Sequence, residues 1–373
     1  MADPEKEAMK SLPPTPAAPS VEERIMQGLP ALRTNLEIVN ECDNFPYYET
    51  DPEAYEARVS KYYMFRLQPD GPTLGYVLPV VAETLRGVSS WSLDDEEGLL
   101  ILNLDQRAAE EGAQVTPEER SAVIAATTTA MRQTGHFDVL KGWRNELYPV
   151  YGKEGELLFN MERAASALFG IVTYGVHMTA YTRTASAGSG SSVAASEIKI
   201  WVPRRAYSKS TYGGMLDNTV AGGISSGEPP LESLVREAEE EASLSADLVR
   251  QRAKAVGTVS YFHVRDKRAG GETGLLQPEC QFVYDLELRE EDAGELKPGD
   301  NEVEEFKLME FDDIKEAMAK GEFKPNCALV LLDFFIRHGL IDFENETDYI
   351  EIVSRLHRRI EFPTLRSGRQ DLR

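Results

Sequence analysis

The sequence predicts an α/β protein of about two domains. Its 373 residues are long enough for two hydrophobic cores. Runs rich in β-branched and aromatic residues recur between residues 62 and 151 and again between 170 and 308, as expected of strands. Within the second group, a glycine-rich turn leads into a helix whose apolar residues form one stripe. These features indicate a first domain of mixed α+β character, followed by a second domain that contains this helix.

Composition indicates an ordinary soluble globular chain, with 42% hydrophobic and 28% charged residues. No apolar run approaches the roughly 20 residues of a membrane span, so no membrane partner is expected. The first 20 residues lack the basic patch and apolar core of a signal peptide. Three distant cysteines without metal-ligand spacing favour a reducing compartment. We therefore expect a cytoplasmic protein.

The net charge of −23 argues against a nucleic-acid partner, because a polyphosphate backbone would be repelled. The electrostatic field of this negative net charge would also repel a small phosphorylated substrate. A bound divalent ion would resolve this locally, since it becomes the largest charge in its site.

Composition and strand signals also predict the domain limits. Residues 1–22 are proline-rich, and we interpret them as a disordered arm. The first domain is predicted over 23–166 and the second domain, with its terminal helices, over 167–363. Residues 364–373 are interpreted as a basic tail.

Three strands and one helix are predicted in the first domain. The strands cover residues 62–67, 99–104 and 146–151. Thr116 to Glu119 form a capping box that opens a helix running to about Gln133, with Gly135 as its stop. His136 stands alone, and we interpret it as structural.

In the second domain, strands are predicted over 170–184, 197–202, 257–264, 280–288 and 302–308. The small-residue stretch 185–196 is interpreted as a long hairpin loop. Helices are expected over 327–338, ended by Gly339, and over about 346–359. Arg204, Arg205 and Lys209 are either a solvated strand end or a cluster that contacts substrate phosphates.

The helix after the glycine turn carries the chemistry. Glu237, Glu240 and Glu241 are spaced three and four residues apart, so they project to one side. Hard oxygen ligands gathered in this way suit Mg²⁺. Arg236 is spaced to hold a neighbouring carboxylate in place. The alternative is a solvated acidic face without a metal.

The complete pattern, from the glycines at 222 and 223 through Glu228 to Arg236-Glu237 and Glu240-Glu241, resembles the box of the Nudix hydrolases. This resemblance implies an α/β/α sandwich with a mixed sheet and a Mg²⁺-dependent site, with Mn²⁺ as a possible substitute. It also implies metal ligands at Glu237, Glu240 and Glu241, and a contribution from the backbone of Gly222 and Gly223. An additional carboxylate is implied near residues 300–305, for which Glu302 is our choice and Glu305 the reserve. One position departs, because Ser243 occupies the place of a helix-ending glycine.

Further stretches, such as 201–224, 257–262, 281–288 and 323–341, resemble fungal and plant Nudix proteins related to the front half of fungal thiamine pyrophosphokinase. The similarity spans roughly residues 25–363, including an N-terminal domain with an end like WRNELYPV (143–150). It implies hydrolysis of a thiamine diphosphate-type small molecule, with oxidised forms favoured, to the monophosphate and phosphate. The aromatic candidates for holding its organic part are Trp201, Tyr207, Tyr212 and Tyr261.

Four alternatives compete with this interpretation. A generic Nudix enzyme would cleave ADP-ribose or a nucleoside diphosphate derivative, and a binding module would hold a diphosphate without catalysis. Residues 203–218 also resemble isopentenyl diphosphate isomerases, but the nearby segments lack the cysteine and histidines those enzymes need. Gly223 to Gly227 match the short G-x-S-x-G pattern of serine hydrolases around Ser225. The sequence leaves the oligomeric state open.

Overall fold

The computed structural model describes residues 32–104, 108, 114–183, 198–209, 211–289, 292, 294 and 296–366. The predicted arm (1–22), the predicted hairpin loop (185–196) and most of the predicted tail (364–373) lie outside these residues.

The first domain is built on a four-stranded sheet in the order β2-β1-β4-β3. Its strands are β1 (Tyr63–Arg66), β2 (Gly75–Val77), β3 (Trp91–Asp94) and β4 (Leu99–Leu102). β1 pairs antiparallel with β2 and parallel with β4. The hairpin of β5 (Leu147–Tyr151) and β6 (Leu157–Glu162) stands beside this sheet.

Four α-helices whose limits lie within the described residues accompany these strands. They are α1 (Asn35–Cys42), α2 (Pro52–Val59), α3 (Pro79–Glu83) and α4 (Pro117–Thr134). The predicted capping box of α4 is confirmed, because the Thr116 hydroxyl accepts from Glu119 N–H and the Glu119 carboxylate accepts from Thr116 N–H. The predicted stop is confirmed as well, since Gly135 has a left-handed φ of 64°.

The second domain contains a six-stranded mixed sheet. Its strands are β7 (Thr173–Arg183), β8 (Ile198–Arg205), β9 (Val220–Gly223), β10 (Lys254–Val264), β11 (Leu276–Glu287) and β12 (Val303–Glu310). The order is β10-β11-β7-β8-β12, and β9 pairs with β7 beside β8. β7 is parallel to β11, and its first half pairs with β9 whereas its last residues pair with β8. The end of β8 and all of β9 therefore meet at one side of β7.

Helices cover both faces of this sheet, which gives the α/β/α sandwich that the resemblance implied. After α5 (Ser166–Phe169), these helices are α6 (Pro230–Ala242), α7 (Ala246–Arg252), α8 (Phe311–Lys320), α9 (Pro325–Arg337) and α10 (Tyr349–Leu356). The apolar stripe of α6 packs against one face of β7, and α9 packs on the other face. The acidic helix is thereby fixed on a buried sheet.

The observed packing differs from the predicted division at residue 166 in one respect. Helix α1 belongs by sequence to the first domain, but Ile38, Val39 and Cys42 are buried with α9 and α10 in the core of the second. This long-range contact has no local signature in the sequence. No helix in the described part of the chain combines the length and apolar character needed to cross a membrane.

Candidate functional site

The acidic helix α6 is held in place by its apolar side and by its two ends. Leu234, Val235 and Ala238 are buried against the sheet. Pro230 occupies the first turn, where its missing N–H costs no hydrogen bond. At the other end Ser243 takes a left-handed φ of 55°, the conformation for which glycine is favoured. Ser243, which replaces the glycine expected at this position, therefore adopts a backbone conformation that is unfavourable for a residue with a side chain.

Two of the three predicted metal ligands, Glu237 and Glu241, lie together against strand β9. A Cβ atom placed on Gly222 would be only 2.1 Å from Glu237 Cδ, so the absence of a side chain at Gly222 leaves room for this carboxylate. The Glu241 carboxylate is buried and accepts a hydrogen bond from Ala221 N–H (3.1 Å). Residues 221–223 are therefore the surface against which both carboxylates lie, and we call this segment the glycine floor.

The third predicted ligand, Glu240, is arranged differently. Its side chain is 55% exposed and lies 3.4 Å from the Arg236 guanidinium. Within the described residues, no group of three or more acidic, histidine or cysteine side chains is placed to hold a metal ion. The predicted cluster of three carboxylates is thus not assembled in this structure, because Glu240 is turned towards solvent and Arg236.

Arg236 positions carboxylates, as its spacing suggested. Its guanidinium makes two hydrogen bonds to Glu228 (2.9 and 3.0 Å) and one to Glu237 Oε1 (2.7 Å). A fork of this kind fixes both direction and distance. Glu232, the other acid at helical spacing from Arg236, pairs with Arg250 instead.

The electrostatics of the Glu237–Glu241 pair indicate a place for a cation. Burial, followed by the charge of Glu237, raises the pKa of Glu241 to about 8. Burial also raises the pKa of Glu237, although Arg236 opposes the shift. Two adjacent buried carboxylates repel each other unless a positive charge compensates them. Together with the nearby backbone oxygens they are the hard donor set that Mg²⁺ accepts, completed in such sites by water and substrate oxygens.

The three residues of the predicted basic cluster have different partners. Arg205 is buried and forms an ion pair with Asp217 (2.6 Å), so its charge is already used inside the protein. Arg204 donates to the Gly214 carbonyl (2.7 Å) and pairs with Glu305 (3.4 Å). Neither arginine has a guanidinium free for a phosphate, and this differs from the predicted phosphate-contacting role.

Lys209 contacts Glu302, which brings the two remaining predicted residues together near the box. The charge of Lys209 also acts on Glu241, where it lowers the pKa. Burial favours the neutral form of Glu302, but the Lys209 ammonium outweighs it and lowers the pKa of this carboxylate. Glu302 is therefore an ionised group close to the acidic helix.

A cavity of about 610 Å³ lies between the two domains. Its wall reaches the box through Ala221, Gly222 and Gly223, whereas Glu237 and Glu241 border it at β9 without being part of the wall. Tyr148 of the first domain stands over Gly223, since a Cβ atom there would be 1.9 Å from the tyrosine hydroxyl.

The charge of this cavity is opposite to that of the chain. Five lysine or arginine residues contribute to its wall against two acids, Asp138 and Glu279, whereas the whole chain has 40 bases and 63 acids. The five basic residues are Lys141, Arg144, Arg163, Arg265 and Lys324. A basic concave surface in an acidic protein concentrates anions locally.

The contribution of the first domain to the cavity was not predicted from the sequence. Lys141, Arg144, Tyr148 and Arg163 all belong to that domain and line the cavity. The one available signal was the stretch 143–150, which contains Arg144 and Tyr148. Of the predicted aromatic residues, Tyr212 and Tyr261 line the cavity, whereas Trp201 is not among its wall residues and Tyr207 is 71% exposed outside it.

The serine-hydrolase alternative finds no support in the geometry. Ser225 donates its hydroxyl hydrogen bond to Glu146 (3.2 Å), and no hydrogen bond among the described residues joins Ser225 to a histidine. His177, for example, pairs with Asn218 (2.7 Å). The G-x-S-x-G match is thus a turn sequence here.

Comparison with known proteins gives two family matches. Residues 57–173 match a domain of unknown function, DUF4743, and residues 191–327 match the NUDIX domain. The uncharacterized protein YJR142W of Saccharomyces cerevisiae is 35% identical over 335 residues, which are 88% of this chain and 92% of the yeast protein.

Two Arabidopsis thaliana proteins are also similar. Nudix hydrolase 20, chloroplastic, is 38% identical over 245 residues, 65% of this chain and 59% of its own length. Nudix hydrolase 24, chloroplastic, is 35% identical over 242 residues, 64% of this chain and 60% of its own length. The chain thus spans about three fifths of each Arabidopsis protein. The cytoplasmic location inferred from composition stays a prediction.

Proposed function

Because the chain belongs to the Nudix hydrolases that carry an N-terminal DUF4743 domain, we propose that its substrate is a thiamine diphosphate-type molecule. In this proposal an oxidised form is preferred, and the products are the monophosphate and phosphate. The basis for this substrate is the resemblance of residues 25–363 to the Nudix proteins related to fungal thiamine pyrophosphokinase.

The observation that carries the proposal is the basic cavity ending at Gly222 and Gly223. Its volume of about 610 Å³ lies within the range of roughly 300–1,000 Å³ that is usual for small-molecule sites. The diphosphate is placed at the glycine floor, beside Glu237 and Glu241. Tyr148, Tyr212 and Tyr261 supply aromatic surface for an organic ring in the same cavity.

Each residue at the floor has a defined task in this proposal. Glu237 and Glu241 would hold a divalent metal with backbone oxygens of the glycine segment, and Arg236 keeps Glu237 in place. Such an ion polarises phosphoryl oxygens and neutralises charge that develops on them. Glu302, ionised and half-buried, is the candidate to accept a proton from the attacking water, and Lys209 orients it.

The first domain supplies counter-charge from the opposite wall. Arg163 stacks over Tyr148 (5.6 Å) and is held by Glu146 (2.8 Å). Arg144 is more exposed and lies 4.0 Å from Glu302. Both residues line the cavity, and Arg144 is the one whose guanidinium is available to a diphosphate there; an arginine fork matches phosphate oxygens well.

A hydrolysis screen with Mg²⁺ tests the proposal, with the monophosphate products separated by chromatography, because cleavage of ADP-ribose or a nucleoside diphosphate sugar gives two phosphomonoesters and no free phosphate. The panel contains thiamine diphosphate, oxythiamine diphosphate, oxothiamine diphosphate, ADP-ribose and a nucleoside diphosphate sugar, assayed with the wild type and with Glu241→Gln. We expect turnover of the thiamine-type compounds and loss of at least a hundredfold in the variant, the scale seen when a charge-stabilising group is removed. Turnover of ADP-ribose alone would leave a generic Nudix diphosphatase. Binding without any turnover would leave a diphosphate-binding module.

A further inference from the structure

The wall of the cavity away from the glycine floor contains a polar cluster that the hydrolytic chemistry does not use. It consists of Glu279, Tyr261, Gln281 and His263. Strand register places these residues on one face, because Glu279 is opposite both Tyr261 of β10 and Thr173 of β7, and Gln281 is opposite Gly175. All four cluster residues line the cavity.

Glu279 is a carboxylate without a cationic partner. No lysine, arginine or histidine of the described chain lies within ion-pair distance of it, and Arg265, the basic wall residue that follows β10, donates to Gln277 Oε1 and to the carbonyls of Ala269 and Gly270. Tyr261 and Gln281 donate hydrogen bonds to Glu279 Oε2. Among the described residues, Oε1 accepts only long contacts from Thr173 (3.4 Å) and Gln277 (3.5 Å). One carboxylate oxygen is thus poorly satisfied.

Two further buried side chains beside Glu279 are poorly satisfied. Gln281 is 5% exposed; its amide nitrogen donates to Glu279 and Tyr261, and its Oε1 accepts no hydrogen bond from the described residues. His263 is 7% exposed, and neither of its ring nitrogens makes a hydrogen bond of ordinary geometry within the described residues, although the Cys42 carbonyl is close enough to act on the ring. Buried polar atoms are almost always paired, so these poorly satisfied atoms on one cavity wall indicate a polar ligand.

We propose that the Glu279 cluster binds the organic head of the substrate, and that this head is a nitrogen heteroaromatic system with N–H donors, on which a positive charge strengthens binding. An unpaired carboxylate and the free Gln281 oxygen both require hydrogen on the ligand, and positive charge adds a Coulombic attraction to Glu279. Tyr261, Tyr212 and Tyr174 border the same space, where aromatic faces attract cations.

The position of the cluster also defines the length of the ligand. Gly223 is opposite Gly175, and Gly175 is opposite Gln281, so the floor and the cluster share one cross-strand row. Glu279 lies two strands across and two residues along from Gly223, a diagonal of about 12 Å from ordinary strand spacing and rise. This inference rests on the proposed function for the diphosphate end, and it identifies what lies at the other end.

Isothermal titration of the full-length chain without divalent metal tests the cluster separately from catalysis. The probes are thiamine, which is cationic and has no phosphate, ADP-ribose, and inorganic pyrophosphate. Glu279→Gln removes the charge while keeping the shape, and Glu287→Gln is the matched control at the exposed end of the same strand. Gln281→Ala is a second variant for the case that Glu279→Gln does not fold, as judged by circular dichroism.

We expect thiamine to bind the wild type and Glu287→Gln equally, and Glu279→Gln at least about tenfold more weakly, with pyrophosphate binding unchanged. Gln281→Ala should weaken thiamine binding in the same direction. Equal thiamine affinity in Glu279→Gln, or tighter wild-type binding of ADP-ribose than of thiamine, would overturn the inference. If no diphosphate is hydrolysed but thiamine binding depends on Glu279, the proposed function fails and the inference stands.

Discussion

Replacing Gly222 by alanine should abolish most activity through a contact that the geometry specifies. The added methyl group would lie 2.1 Å from Glu237 Cδ and 2.3 Å from both Glu237 Cγ and Oε1. Ordinary carbon contacts begin near 3.5 Å, so the carboxylate must move by more than about 1 Å. Glu237 would then leave both the floor and its 2.7 Å hydrogen bond with Arg236.

The expected kinetic cost is large and the expected stability cost moderate. A displacement of about 1 Å at a catalytic group costs roughly a hundredfold in rate, which corresponds to about 2.7 kcal/mol in the barrier. Overpacking at a partly buried position costs about 1–3 kcal/mol of unfolding free energy. We therefore expect kcat/KM for the best diphosphate to fall about a hundredfold in a protein that still folds.

The assay is phosphate release under saturating Mg²⁺, with urea denaturation as the measure of folding. Gly294→Ala is the control, because its Cβ atom would meet no heavy atom of the described residues within 4 Å. A cycle with Glu237→Ala separates the cause, since the double variant should be no slower than Glu237→Ala alone. A folded Gly222→Ala protein with kcat/KM within threefold of wild type would refute the assignment of Glu237 to the site.

Three other predictions follow from single contacts. Ser243→Gly should raise the unfolding free energy by up to about 1 kcal/mol in urea titrations without changing kcat/KM, because it relieves a left-handed φ of 55°; unchanged or lower stability would contradict this. Arg205→Ala should lower the unfolding free energy by about 3–5 kcal/mol, because it removes the ion-pair partner of the buried Asp217 carboxylate. A folded variant that shows only a raised KM would instead favour a phosphate-binding role for Arg205. Arg144→Ala should raise KM severalfold with unchanged melting temperature, because this exposed guanidinium faces the cavity. The control is Arg86→Ala, which removes an exposed ion pair outside the cavity wall and should leave KM unchanged.

The last prediction concerns acid stability. Burial disfavours the Asp217 carboxylate, but Lys324 and Arg205 outweigh burial and hold its pKa well below the ordinary value. A carboxyl with a lowered folded pKa contributes stability that is present above the unfolded pKa of about 4 and is lost as pH falls below it. Urea titrations between pH 5 and pH 3 should show this loss in the wild type. Asp217→Asn should show a weaker dependence, and an equal dependence in both proteins would contradict the reasoning.

Some of the structure was determined by the sequence alone, because its signals are local. The capping box at Thr116 and Glu119, the left-handed stop at Gly135, and the strand runs depend on neighbours a few residues away. The acidic helix is also local, since helical spacing fixes which acids share a side. The place of the missing glycine at Ser243 came from the resemblance to the Nudix box.

The partner of each charged group was decided only by the tertiary structure. Helical spacing places Glu240 on the same side of the helix as Glu237 and Glu241. In the structure Gly222 leaves space for Glu237 and Ala221 N–H donates to Glu241, whereas Glu240 lies at the surface beside Arg236. Arg205 lost its predicted role because Asp217, on a following segment, folds onto it in the interior. Three of the five basic wall residues, Lys141, Arg144 and Arg163, come from the first domain, and such contacts depend on packing between segments that share no local pattern.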